Sequence, residues 1–136
     1  MRLLFLFFLL FSITQGFAQS EIHVEVLNVP ASEGKINVAL YNHADAFLEF
    51  DKVFASKSVP AQKGSTKLVL QDLPKGEYAI ALFYDQNGND ELDTNWLGIP
   101  KEKVAFSKGK LKAFGPPKFE ECAFRLKDDL SLQISL

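Results

Sequence analysis

Alternation of apolar and polar positions with a period of two runs through most of the chain. Ile22, Val24 and Val26 are separated by His23 and Glu25; Ile36, Val38 and Leu40 by Asn37 and Ala39; Leu68 and Leu70 sit among Lys67, Val69 and Gln71. Successive side chains of a strand point to opposite faces, so this spacing predicts half-buried β-strands. Residues 77–84 are apolar on both faces. Tyr78, Ile80, Leu82 and Tyr84 form one row and Ala79, Ala81 and Phe83 the other, the pattern of a central strand covered from two sides. Residues 122–126 read as extended, and Leu130, Leu132, Ile134 and Leu136 alternate with Ser131, Gln133 and Ser135. Turn chemistry punctuates these runs at Pro30, Ser32-Glu33-Gly34, Gln62-Lys63-Gly64-Ser65 and Pro74-Lys75-Gly76. The rhythm predicts an all-β fold, an antiparallel β-sandwich of about seven strands. Only residues 45–53 carry a helical pattern, with Ala46, Phe47, Phe50, Val53 and Phe54 able to cover one end of the sandwich, so at most one short helix is expected.

The N-terminus departs from the alternation. Arg2 is followed by an unbroken apolar run over residues 3–11, and Gly16-Phe17-Ala18 places small residues before Gln19. This predicts a signal peptide over residues 1–18 and a single domain over residues 19–136. The run is shorter than the roughly 20 residues of a membrane-spanning helix, so no transmembrane anchor is expected after cleavage. No cysteine follows the cleavage point, which disfavours a lipoprotein. The expected destination is the periplasm or the medium. Cys122, the one cysteine, excludes an internal disulfide. The net charge of -2, or -3 once Arg2 is lost, carries no basic excess, and nucleic acid is not an expected partner.

The chemistry concentrates directly after the strongest strand, in Asp85-Gln86-Asn87-Gly88-Asn89-Asp90-Glu91-Leu92-Asp93. Asp85, Asn87, Asn89 and Asp93 stand at relative positions one, three, five and nine, and Glu91 offers a main-chain carbonyl at position seven. That is the spacing with which a tight loop wraps a calcium ion, which takes six to eight hard oxygen ligands. The loop departs from an EF-hand: position six is Asp90 instead of glycine, position twelve is Trp96 instead of a bidentate glutamate, and no helix precedes it. Glu102 is the candidate for the missing bidentate ligand, and Asn95 a second one. Asn87-Gly88 equally suits a plain hairpin turn without metal, although four acidic residues in nine repel one another unless something offsets their charge. One structural Ca²⁺ is the expected cofactor.

Several motifs in order carry a resemblance. Leu73-Pro74-Lys75-Gly76-Glu77-Tyr78-Ala79-Ile80-Ala81, the 85–93 loop, Asp93-Thr94-Asn95-Trp96-Leu97-Gly98-Ile99-Pro100-Lys101-Glu102 and Phe106-Ser107 form its centre. With Gly34-Lys35-Ile36 and Pro116-Pro117-Lys118-Phe119-Glu120 at the flanks, they resemble the secreted bacterial proteins grouped as domain-of-unknown-function family 2141. The resemblance implies a transthyretin-like or prealbumin-like β-sandwich and no established activity. One departure is Val104-Ala105, where a glycine-aromatic pair is expected before the Phe-Ser step.

Residues 94–119 alternate weakly and hold three prolines, three glycines and six lysines. Long irregular segments in small domains are usually functional. Trp96, Phe106, Phe114 and Phe119 therefore form a candidate ligand surface, able to stack on a sugar or anchor a protein, or else to cover the open end of the sandwich. No nucleophile elbow, zinc-binding helix motif, phosphate loop or paired-cysteine site occurs. His23 and His43 are isolated, and Cys122, expected in a strand beside Glu120 and Glu121, reads as a buried inert thiol. The expectation is a non-enzymatic exported module with an envelope or extracellular ligand, glycan or protein. The alternatives are a carbohydrate-binding module using the aromatics, or an unrecognised hydrolase.

Overall fold

The computed structural model describes Gly16 and residues 18–136; the expected signal peptide falls, apart from Gly16 and Ala18, outside the described residues. Eight strands and one short helix follow in the order β1 Ser20–Val29, β2 Lys35–Tyr41, β3 Ala55–Pro60, β4 Gly64–Leu73, β5 Gly76–Asp85, β6 Val104–Phe106, α1 Phe119–Cys122, β7 Phe124–Leu126 and β8 Leu130–Ser135. They form two sheets, one ordered β4-β1-β8 and the other β3-β2-β5-β6 with β7 also against β5. The β-sandwich expected from the alternation is present.

β5 is the axis of the larger sheet. One edge pairs with β2 over residues 79–85, setting Lys35 opposite Asp85, Val38 opposite Leu82 and Tyr41 opposite Ala79. The other edge is shared: β6 covers the upper half, with Phe83 opposite Val104, and β7 the lower, with Tyr78 opposite Phe124. The main core lies between the sheets, where Ile22, Val24, Leu68, Leu70, Ile80 and Leu82 are all buried. The opposite face of β5 is covered as well. Ala79 packs there with Tyr41, Phe106, Phe119 and Cys122. Phe47 sits in the middle of that second cluster, edge-on to Tyr41 at 5.4 Å and to Phe119 at 5.9 Å between ring centroids, the T-shaped geometry that aromatic quadrupoles favour. The two-faced apolar pattern of residues 77–84 thus has its cause in two separate cores.

Three expectations need correction. First, the sandwich is not wholly antiparallel, because β8 runs parallel to β1, pairing Ile22 with Leu130 and Val26 with Ile134. A parallel pair needs a crossover; β2 to β7 supply it. Second, the helical pattern of residues 45–53 resolves into two single 3-10 turns, Ala44–Ala46 and Phe50–Lys52. Leu48 between them has φ 65, a left-handed conformation that no right-handed helix can pass through. Ala46 and Phe47 plug the second core, whereas Phe50 and Phe54 face solvent. Third, residues 122–126 are not uniformly extended, since Cys122 ends α1. The Glu121 carboxylate accepts the Lys118 N–H at 2.7 Å and pairs with the Lys112 ammonium, which satisfies a helix-end donor and starts the turn. Phe119 and Cys122, three apart, then meet on its buried side.

Candidate functional site

The oxygen-rich loop closes the end of β5, and Asp85 organises it. Asp85 is fully buried, yet both its oxygens are satisfied. Oδ1 accepts the Asn89 N–H at 3.2 Å; Oδ2 accepts the Asp90 N–H at 2.8 Å and the Asn37 amide at 3.2 Å. A carboxylate at the end of a rigid strand therefore folds the following chain back over itself. Asn87 and Asn89 repeat the device on a smaller scale, Asn87 Oδ1 accepting the Asn89 N–H at 3.3 Å and Asn89 Oδ1 accepting the Glu91 N–H at 3.0 Å. Such Asx turns keep every second side chain on the inner side of the loop.

Asp93 completes the circuit. Its two oxygens accept the amides of Asn87 at 2.7 Å and Asn89 at 3.0 Å, while its own N–H donates to Glu102 Oε2 at 3.2 Å. Asp85, Asn87, Asn89, Asp93 and Glu102 are thus joined in one hydrogen-bonded cluster. Beside it lies an open cleft of about 570 Å³ lined by Glu33, Gln86, Asn87, Asp93, Thr94, Lys101 and Glu102. Burial pushes the Glu102 carboxyl above the usual range, and the charges of Asp93 and Asp85 push the same way against the N–H bonds it accepts from Asp93 and Gln86. Among the described residues no group of three or more His, Cys, Asp or Glu side chains is gathered to hold a metal ion. Two of the oxygen carriers in the cluster are asparagines.

Asp90, at the loop position where a calcium loop carries glycine, has φ 62. The left-handed turn that glycine normally supplies is therefore made by an aspartate, a residue that tolerates it better than most. Asp90 is held there by its N–H bond to Asp85 and by the Lys35 ammonium, 3.0 Å from Oδ1. Gly34, with φ 69, lies under the loop; a β-carbon on it would stand 2.1 Å from the Asp85 carbonyl oxygen and 2.7 Å from that of Gln86. Only glycine permits this approach of the β1-β2 turn to the end of β5.

Not every residue singled out in the sequence joins the cluster. Glu91, singled out for its main-chain carbonyl, adjoins the cluster through its N–H bond to Asn89 with its side chain exposed, whereas Asn95 closes the next turn instead, its Oδ1 accepting the N–H groups of Leu97 and Ile99. The four aromatics do not form one surface. Trp96 and Phe114 are exposed, but Phe106 and Phe119 are 8% and 6% exposed and belong to the second core, packed around Phe47. Cys122 is buried, and burial pushes its thiol up. Glu120 and Glu121 lie on α1, not on a strand, and both are exposed. His23 pairs with Glu21 on β1. Sequence reasoning missed Asn37, Lys35 and the role of Gly34, which reach the loop only through the register of β2 against β5.

Fold and site together define a small β-sandwich protein whose central strand ends in a folded, oxygen-rich loop. The family model described as an uncharacterized protein conserved in bacteria (DUF2141) matches residues 24–133, and the chain belongs to that family. No curated protein and no solved structure matches it.

Proposed function

We propose that the chain is an exported, non-enzymatic and transthyretin-like sandwich that binds one structural calcium ion in the 85–93 loop, with Glu102 as the added carboxylate. The observation that carries this reading is the convergence of Asp85, Asn87, Asn89, Asp93 and Glu102 on one hydrogen-bonded cluster. Three further features support it. The backbone turn at Asp90 has the conformation that a calcium loop requires at its sixth position. The Glu102 carboxyl is raised by burial first and then by the charges of Asp93 and Asp85, a load that a divalent cation would relieve. Asn87 and Asn89 already present amide oxygens on the inner side of the loop, each accepting one N–H and carrying a second lone pair that a cation could use. A bound calcium ion would supply positive charge and no redox or proton chemistry, which suits a stabilising role.

Titration calorimetry on residues 19–136, which hold every strand among the described residues and both cores, tests the ion. Calcium at about 100 times its dissociation constant should add about 2.7 kcal/mol of stability, seen as a raised melting temperature. Asp93→Asn and Glu102→Gln should abolish the heat and the calcium-dependent shift, each variant judged against its own calcium-free melt. Asp85 is unsuitable for this comparison because it also builds the loop. Absence of both heat and shift in the parent chain would sink the reading in favour of a polar turn. The proposed partners remain envelope or extracellular ligands, and burial of Phe106 and Phe119 leaves Trp96 as the aromatic nearest the loop in sequence.

A further inference from the structure

Directly after the acidic cluster the chain makes a compact hairpin. Thr94 bridges to Pro100, the Asn95 N–H donates to the Ile99 carbonyl at 2.9 Å, and the Gly98 N–H donates to the Asn95 carbonyl at 2.9 Å. The Asn95 side chain takes up the N–H groups of Leu97 and Ile99 at 2.9 and 3.0 Å, so the N–H groups of Leu97, Gly98 and Ile99 are all bonded within the tip itself. The Lys101 N–H returns to the Asp93 carbonyl at 2.8 Å and ties the hairpin to the cluster. This fixed frame displays Trp96, Leu97 and Ile99 at 91%, 60% and 53% exposure. Lys101 and Lys103, both exposed, stand immediately behind them.

We propose that this tip inserts into an anionic lipid surface, with calcium in the neighbouring loop acting as the charge switch; the switch rests on the calcium reading above. Large apolar side chains on a turn whose N–H groups are largely bonded within it can enter the lipid boundary while the turn's carbonyls stay in the hydrated headgroup zone. Tryptophan favours the membrane-water boundary, and lysines behind an apolar tip complement phosphate headgroups. A lipid surface fits better than a folded protein, because three projecting side chains fall well short of the roughly 800 Å² per partner that a stable protein interface buries. It fits better than a sugar, because Trp96 stands on the projecting tip and does not line the neighbouring cleft, where a sugar's hydroxyls would find partners. Without calcium, Asp85, Asp90, Glu91, Asp93 and Glu102 repel the same headgroups that the lysines attract. A divalent ion cancels two of those five charges and Lys35, paired with Asp90, a third, so the two that remain are matched by Lys101 and Lys103 and the repulsion is removed.

Trp96 is the one tryptophan in the sequence and reports its own environment. Residues 19–136 should be mixed with vesicles of phosphatidylglycerol and phosphatidylethanolamine, or of phosphatidylcholine alone, in calcium or in chelator, and followed by sedimentation and Trp96 emission. Sedimentation with the anionic vesicles in calcium alone, with a blue-shifted emission, is the expected result. Leu97→Asp and Ile99→Asp should keep the calorimetric calcium signal and weaken partitioning by about tenfold or more. Equal partitioning in chelator, equal partitioning on phosphatidylcholine, or aspartate variants that bind like the parent would each overturn the proposal. A normal calcium signal with no vesicle binding overturns it and spares the calcium reading, whereas loss of the calcium signal itself overturns both. Trp96-dependent retention on a glycan array without vesicle binding would assign the tip to sugars instead.

Discussion

Glu102 shows how one side chain can carry two opposite pH dependences. Its carboxyl is raised in the folded state, by burial first and then by Asp93 and Asp85. A raised group contributes stability that is fully present below its unfolded pKa and is lost as pH rises through the folded value. Metal-free protein should therefore lose some stability over that mildly acidic window, and Glu102→Gln should flatten that part of the curve in melts taken across pH. Calcium affinity should run the other way, falling as pH drops through the same window, because the ligand must be ionised to bind. A Glu102→Gln chain with an unchanged stability-pH curve would remove the electrostatic account. At this scale the sequence named all five residues of the cluster but not what holds them in place. The spacing of Asp85, Asn87, Asn89 and Asp93 is legible because residues of one loop are local. Asn37, Lys35 and Gly34 were not, since alternation assigns a residue to a face without naming the neighbour that the strand register brings beside it.

Ser107 plays the equivalent part among the elements. Its buried hydroxyl accepts the Ile80 N–H at 2.8 Å and donates to the Cys122 carbonyl at 2.7 Å, so one side chain joins β5, the end of β6 and α1. Ser107→Ala would leave a buried N–H and a buried carbonyl short of partners, and a loss of about 1–3 kcal/mol should appear in denaturant melts. A cost near zero would mean that the connection is made elsewhere. β1, β2, β4, β5 and β8 could all be read from alternation because each holds three or more inward apolar residues. β3 could not, since its Ser56, Lys57 and Ser58 are exposed on an edge strand. β6 is three residues long, too short for any period to register. α1 escaped notice because a single turn has no periodicity, and its signal lies in the Glu121 contacts.

Across the whole molecule, β5 is covered on both faces and paired on both edges. Hydrogen exchange should therefore be slowest there and in β2, approaching the rate set by global unfolding, and fastest across residues 94–115, where strand pairing is confined to β6. Fast exchange throughout β5 would contradict the two-core description. The sandwich was legible in the sequence, but its one parallel pair was not, because strand direction depends on the whole path taken between β1 and β8.

That parallel pair also sets the polarity of the molecule. Ser20 opens β1 beside Leu73, while Leu136 donates to the Leu27 carbonyl near the strand's far end, roughly 20–30 Å away at the usual strand rise. The chain therefore enters the sandwich at one pole and finishes at the other, and the Gly34 turn shows that the oxygen-rich loop shares the finishing pole. A label, fusion or surface linkage attached ahead of Ser20 leaves the loop and the Trp96 tip facing outward. The same attachment after Leu136 crowds them.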